Sequence, residues 1–325
     1  MKIKHHTLGI LLSGLLCAMP FTSAAASYPE RPIRLIAPIA VGGLTDTLAR
    51  LVAAGLSDEL KQPVVVENKP GAGGIIGMEA AAKSTPDGYT IILVYQGVAA
   101  VNTSLHKDLP YNTQRDFAPI SSLGSFPLVL VTSDASGIQS VSDFVERAKS
   151  KPNSLSYASA GNATTSHLTM ELFKDQTGIK LIHVPYKGES PANTDVAGGQ
   201  VDIAFSSLAS VVPLIKAGRL KALGIATTEP SPVLKGVSTI TSSGVPGFEA
   251  AGWYGLLAPA DTPAAIIETL SKAVGKVLNQ PATRQKLETL GVTSKASSPS
   301  EFGQQIESET EKWKSVIQKS GITLG

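Results

Sequence analysis

The chain has 325 residues, room for two domains of ordinary size, and its 42% apolar and 17% charged content suits a soluble globular protein. A formal charge of +2 and one cysteine argue against a strongly basic nucleic-acid binder and a disulfide-stapled scaffold.

Lys2 and Lys4 precede an apolar run from Leu8 to Leu16, and Ala24-Ala25-Ala26 follows, the pattern of a secretory leader spanning residues 1–26. No later stretch reaches the roughly 18 apolar residues of a membrane helix. Cys17 lies inside this leader behind Leu16, not behind the small residue that a lipid-anchored leader requires, so no lipid anchor is expected. Removing the leader removes the only cysteine, and losing Lys2 and Lys4 makes the basic and acidic counts equal. The expected mature product is exported and soluble. It has no disulfide, no thiolate nucleophile and no general attraction for nucleic acid or anionic lipid.

An apolar run at Ile33 to Ala37 leads into Pro38-Ile-Ala-Val-Gly-Gly-Leu-Thr-Asp46 and then into a helix over 45–60, with Leu48, Leu51, Val52, Leu56 and Leu60 on one face. This is strand, glycine turn, helix. The free amides at the helix start and the positive end of its dipole suit a carboxylate or phosphate. A plain chain turn capped by Thr45 and Asp46 explains the same residues. Val64 to Val66 reads as a short strand, followed by a second glycine-rich turn, Asn68 to Gly77, and a helix. The turn fails as a dinucleotide fingerprint, because Gly71 and Gly73 require a third glycine where Ile76 stands. Tyr89 to Tyr95 is a third strand, ending in Tyr95-Gln96. Apolar runs alternating with helices imply βαβ units, whose ligands sit beyond the carboxyl ends of the strands.

From Asp116 the pattern changes. Phe117 to Ile120 and Leu128 to Val131 are apolar runs separated by Gly124-Ser-Phe-Pro127 with no helix between, read as a crossing into a second domain. There Ser140-Val-Ser-Asp143 opens a helix, Leu155 to Ala158 is a strand, and Ser159-Ala-Gly-Asn-Ala-Thr-Thr-Ser-His167 repeats the opening arrangement before another helix. Strands follow at Leu181 to Val184, Val201 to Phe205 and Leu220 to Ala226, with a helix from Leu208 to Ala217. Trp253 to Ala258 is read as the return crossing. Helices at 263–278, 281–290 and 300–319 complete the first domain, the last carrying a stripe of Phe302, Ile306, Trp313 and Ile317 suited to docking on that domain. The boundaries are 27–127 plus 253–325 for the first domain and 128–252 for the second.

No catalytic constellation emerges. His106, His167 and His183 remain after the leader is removed, and none has a metal-ligand partner at suitable spacing. His183 reads as an interior residue, whereas His167 suits either packing or ligand contact. No G-x-S-x-G nucleophile elbow occurs. Neither an enzyme, a cofactor nor a metal is expected.

Tyr28-Pro-Glu-Arg-Pro-Ile33, Gly42-Gly-Leu-Thr-Asp46, Val64-Val-Val-Glu-Asn68, Pro70-Gly-Ala-Gly-Gly74, Pro86-Asp-Gly-Tyr89, Leu109-Pro-Tyr111, Asp116-Phe-Ala-Pro119, Pro185-Tyr-Lys-Gly188 and Gly199-Gln-Val-Asp202 occur in this order. Together they resemble the Bug family, extracytoplasmic solute receptors of tripartite tricarboxylate transporters. The resemblance spans the mature chain. It implies an α/β, two-lobed periplasmic-binding-protein fold of type II-like form, each lobe a mixed, mostly parallel sheet flanked by helices.

It also implies a monomer that captures a small carboxylate between the lobes in the periplasm and delivers it to membrane permease subunits. Carried onto this sequence, the grip falls on Ala40, Val41, Gly42, Gly43 and Thr45 in one lobe. In the other it falls on Ser159, Gly161, Asn162, Ala163, Thr164 and Thr165. Tyr95, Gln96, Phe205 and Ser206 are the implied walls, and Asp46 shapes the first turn, since a carboxylate there would repel the ligand. This sequence departs from the family at Val41 and Leu44, where proline and a third glycine are common, and at Tyr95-Gln96, where small or hydroxyl residues are common. The absence of Lys and Arg from both turns, with Tyr95, Tyr186 and Phe205 nearby, points to a mono- or dicarboxylate with an apolar or aromatic body. A same-fold sensor and an extracytoplasmic enzyme are the alternatives. Uptake assays separate the first from a receptor, and recovery of intact ligand separates the second.

Overall fold

The computed structural model describes residues 28–42, 44–231 and 233–323; the leader expected at 1–26 lies outside them. Strand β1 (Ile33–Ala37), helix α1 (Leu44–Leu60), β2 (Val64–Asn68), a single 3-10 turn at Ala72–Gly74, α2 (Ile75–Ala82) and β3 (Thr90–Tyr95) form two βαβ units, with β1 parallel to both β2 and β3. Leu48, Ala49, Val52 and Leu56 bury one face of α1, the face its apolar spacing predicts. A π-helical turn at Gly97–Val101 then runs into α3 (Asn102–Leu105), and a short α4 (Thr113–Asp116) follows.

The two apolar runs beginning at Phe117 and Leu128 are one strand, β4 (Phe117–Thr132). The second half of the fold contains α5 (Val141–Ser150), β5 (Ser156–Ser159), α6 (Thr165–Thr177), β6 (Ile182–Pro185), α7 (Glu189–Ala197), β7 (Ile203–Ser207), α8 (Leu208–Lys216) and β8 (Lys221–Ile225). The chain returns through β9 (Ala251–Pro259) to α9 (Ala264–Asn279), α10 (Pro281–Thr289), β10 (Thr293–Ser294) and α11 (Pro299–Ser320).

The strands run β2-β1-β3-β9-β4-β7-β5-β6, with β10 and β8 also on β4. Up to Pro127, β4 pairs with β9; from Leu128 it pairs with β7 and β8. Pro127, which has no N–H for a ladder, stands where the partner changes. Both halves are mixed. Their parallel pairing lies in β2-β1-β3 and β6-β5-β7, where helices connect the strands, while the crossing strands pair antiparallel.

Helix α11 starts at a full capping box: the Glu301 amide donates to Ser298 Oγ, and the Ser298 amide donates to Glu301 Oε2. Its Phe302 ring packs edge-on against Trp253 of β9, and Trp313 is fully buried. Helix α11 packs on β4 and α9. It also packs on α6, and near its end Lys319 pairs with Asp175 at 2.7 Å.

Candidate functional site

At the start of α1, Asp46 is 3% exposed. Its Oδ2 accepts from the Gly42 amide at 3.0 Å and from Arg50 Nε at 3.1 Å, while Oδ1 accepts from Asn68 Nδ2 at 2.8 Å. The Arg50 hydrogen bond, followed by those from Gly42 and Asn68, lowers its pKa to about 2. Asp46 therefore ties the β1–α1 turn to the end of β2. Ala40, Val41 and Gly42 are exposed on this turn, and Thr45 Oγ1 lies 3.5 Å from the Tyr254 hydroxyl of β9. Gly43 lies outside the described residues.

Beside it, the 3-10 turn after β2 packs on the same strand ends. Gly74 has φ +93, and a Cβ there would lie 2.5 Å from Val98 and 3.3 Å from the Pro38 carbonyl, so only glycine lets these turns meet. Tyr95 closes over this junction, its hydroxyl donating to the Gly73 carbonyl at 3.3 Å. Burial pushes the Tyr95 phenol up to about 12.

The second-half turn is held from beneath. Ser159, 1% exposed, shares a 2.7 Å hydrogen bond with His183 Nε2, and the Gly161 amide donates to Ser159 Oγ. The Ala163 amide donates to His167 Nδ1 at 2.9 Å, so His167 must be neutral at that nitrogen. Burial, reinforced by His183 stacked at 4.0 Å, lowers the His167 pKa to about 4. Below the rings, Glu171 accepts from both Tyr157 and Lys174. His167 thus shapes the loop by packing and hydrogen bonding. Thr164 Oγ1 donates back to the Gly161 carbonyl at 2.7 Å and does not cap α6, so the first helix amides keep their free N–H groups.

Between these turns lies a cavity of about 520 Å³. Six expected residues line it: Tyr95, Gln96, Asn162, Ala163, Thr164 and Thr165. The uncapped start of α6 forms part of its wall. None of the described lining residues is Lys, Arg, Asp or Glu. Gln96 is anchored, its Nε2 donating to Glu309 Oε2 of α11 at 2.8 Å and to the Ala251 carbonyl at 3.4 Å. Glu309 Oε2 also accepts from Trp313 Nε1 at 2.7 Å.

The other expected residues stand elsewhere in this arrangement. Phe205 is fully buried, stacked on Phe248 and edge-on to Phe173, because β7 is covered on both faces. Ser206 is 2% exposed and donates to Asn193 Oδ1. Neither lines the cavity, and Ser159 and Gly161 support its wall from behind. Ala40, Val41, Gly42 and Thr45 stand outside it in this arrangement.

Ala72 and Gly73, outside the expected grip residues, also line the cavity from the second glycine turn. So do Val101, Asn102, Leu105 and His106 from the helix after β3, and Leu168 from α6. The position of Gly73 beyond a strand's carboxyl end was the available signal for the first pair.

Among the described residues no cluster of three or more His, Cys, Asp or Glu suits a metal, and no helix is long and apolar enough to cross a membrane.

Known proteins share this fold. The chain is 35% identical to BugT of Bordetella pertussis over 318 residues, covering 98% of this chain and 97% of that one. The Rhodopseudomonas palustris protein Rpa4515, solved with adipate, superposes with a TM-score of 0.77 at 34% identity, covering 91% of this chain and 99% of the other. MatC from the same organism, solved with malate, gives 0.73 at 32% identity, covering 89% and 100%. The periplasmic binding protein BugD gives 0.73 at 31% identity, covering 91% of this chain and 99% of the other. Residues 48–322 match the model of the tripartite tricarboxylate transporter family receptor, and the chain belongs to this family of receptors, which includes the Bug proteins.

Proposed function

We propose that the chain is a periplasmic receptor that captures a small carboxylate in the cavity between its two halves and delivers it to the permease subunits of a tripartite tricarboxylate-type transporter. The carrying observation is the uncapped start of α6 on a cavity wall without Lys, Arg, Asp or Glu. Free helix amides and the helix dipole stabilise an anion by about 0.3–1 kcal/mol, and up to ~2 kcal/mol when partly buried. Relatives solved with adipate and with malate support a carboxylate ligand.

In this reading the lobes are 27–127 with 253–325, and 128–252. The ligand carboxylate sits on Asn162 to Thr165, with Tyr95 and Gln96 opposite. Closure brings Ala40, Val41, Gly42, Gly43 and Thr45 over it, and ordered waters bridge what the amides do not reach. The ligand favours the closed state because only that state offers it both lobes. The leader directs the chain to the periplasm, where it works as a monomer.

A thermal-shift screen of small carboxylates tests the proposal. A ligand at 100 times its dissociation constant stabilises the folded chain by about 2.7 kcal/mol. No shift across a broad panel would sink the receptor reading. Added to cells lacking their own receptor, the purified chain should restore uptake of the identified ligand, whereas a protein serving a sensor would not.

A further inference from the structure

We infer that His106 is the side chain that reads the far end of the ligand. With one carboxylate on the start of α6, the His106 ring donates a hydrogen bond to a second oxygen acceptor on the ligand body. The inference rests on the receptor reading and names a specificity-determining residue of the same site. Most polar side chains on the cavity wall are committed elsewhere. Tyr95 donates to the Gly73 carbonyl, Gln96 Nε2 to Glu309 and the Ala251 carbonyl, and Thr164 Oγ1 to the Gly161 carbonyl. Asn102 Nδ2 donates to the Tyr111 hydroxyl at 3.3 Å.

Three lining residues have polar side chains with no partner at all among the described residues: Asn162, Thr165 and His106. Asn162 and Thr165 stand beside the uncapped amides of α6, where the first carboxylate belongs. His106 stands in the other half of the fold, half-buried, at the end of the helix after β3. It is therefore the free polar side chain that the first half brings to the cavity. A neutral imidazole has one N–H and a charged one has two, so His106 can donate in either state.

The backbone that carries His106 is fixed. Its amide donates to the Asn102 carbonyl at 3.0 Å, and Asn102 is 7% exposed. The Tyr111 hydroxyl that Asn102 meets donates in turn to the Val98 carbonyl at 2.7 Å. Lys107 and Asp108 follow in the chain but are exposed and outside the cavity. Val101, Leu105 and Leu168 supply apolar surface for the ligand body. A ligand that ends in hydrocarbon leaves the His106 N–H without an acceptor once the cleft shuts out water. A site with a buried donor discriminates strongly against the analogue that lacks the matching oxygen.

Calorimetric titration of the leader-free chain with matched pairs tests this: butanoate and succinate, hexanoate and adipate, benzoate and terephthalate. It is run at pH 8, where all these acids are fully ionised. The diacid of the best-fitting pair should bind at least about tenfold tighter than its monoacid, a difference of about 1.4 kcal/mol. His106→Ala should weaken that diacid at least about fivefold and leave the monoacid within about twofold. His106→Gln keeps an N–H donor and should recover part of the loss, which a packing role would not. His106→Leu keeps bulk without a donor and makes the same test should His106→Ala fail to fold. Three results would overturn the inference: a diacid no tighter than its monoacid in every pair, equal weakening of both acids, or an unchanged diacid in a folded variant. Each of these leaves the receptor reading standing. If no acid of any pair binds, the inference falls, and the thermal-shift panel decides the receptor reading separately.

Discussion

Asp46 and His167 anchor the two turns that flank the cavity, one as a charged acceptor and one as a neutral acceptor. Asp46→Ala removes the partner of the Gly42 amide, Arg50 and Asn68, and should cost about 2 kcal/mol in thermal or urea unfolding. The two residues also act in different pH windows. The His167 pKa is depressed from 6.5 to about 4, so the unfolded chain binds this proton more tightly. Its contribution to stability is complete above pH 6.5 and is lost as pH falls towards 4, and His183, lowered in the same direction by burial, adds to the loss. The folded pKa of Asp46 is also depressed, and its contribution is lost further down, between about pH 4 and 2. His167→Gln should flatten the upper window, where one proton accounts for at most about 1.4 kcal/mol per pH unit. An unchanged slope would remove His167 from the account. Asp46 as the shaper of its turn was readable, because a carboxylate close to a helix start has free amides to accept from. Phe205 was not, because alternation along a strand says nothing when both faces are covered.

At the scale of elements, the crossing strand and the last helix bind the two halves together. Gly124 in β4 has φ +141, and a Cβ there would lie 2.3 Å from the Thr293 carbonyl of β10. Gly124→Ala should therefore cost about 3 kcal/mol, checked by the urea midpoint, and a neutral result would show that β10 is free to move away. Glu309 in α11, with its side chain 15% exposed, gathers the donors of Gln96 and Trp313. Glu309→Ala removes the acceptor of Trp313 and the nearer of the two acceptors of Gln96 and should cost about 3 kcal/mol, whereas Glu309→Gln keeps one acceptor oxygen and should cost about 1 kcal/mol. Amphipathic elements such as α1 and α11 were legible from apolar spacing. The helix after β3 was not, because Val98 to Val101 is buried on every side and carries no period. Helix α7 was hidden for the opposite reason: Glu189-Ser-Pro-Ala-Asn-Thr-Asp195 is rich in residues that favour turns.

Across the whole molecule, two strands carry the chain between the halves. The partner of β4 changes at Leu128, and the Ala250 amide bonds Ala226 just before β9 begins. This architecture could be anticipated from the loss of alternating helices near Asp116 and from the ordered family motifs. The cavity could be anticipated only in part. Its anion-binding side follows from a small, hydroxyl-rich turn before a helix, but its apolar wall is assembled by tertiary packing. Closure on ligand should lower the radius of gyration in small-angle scattering with little change in circular dichroism. The most direct measurement is a crystal structure of the leader-free chain with the tightest-binding carboxylate of the panel. The account predicts the carboxylate oxygens within hydrogen-bond distance of amides between Asn162 and Ser166, with the ligand body on Val101, Leu105 and Leu168. A carboxylate held instead by Lys187 or another side-chain cation, away from the start of α6, would contradict it.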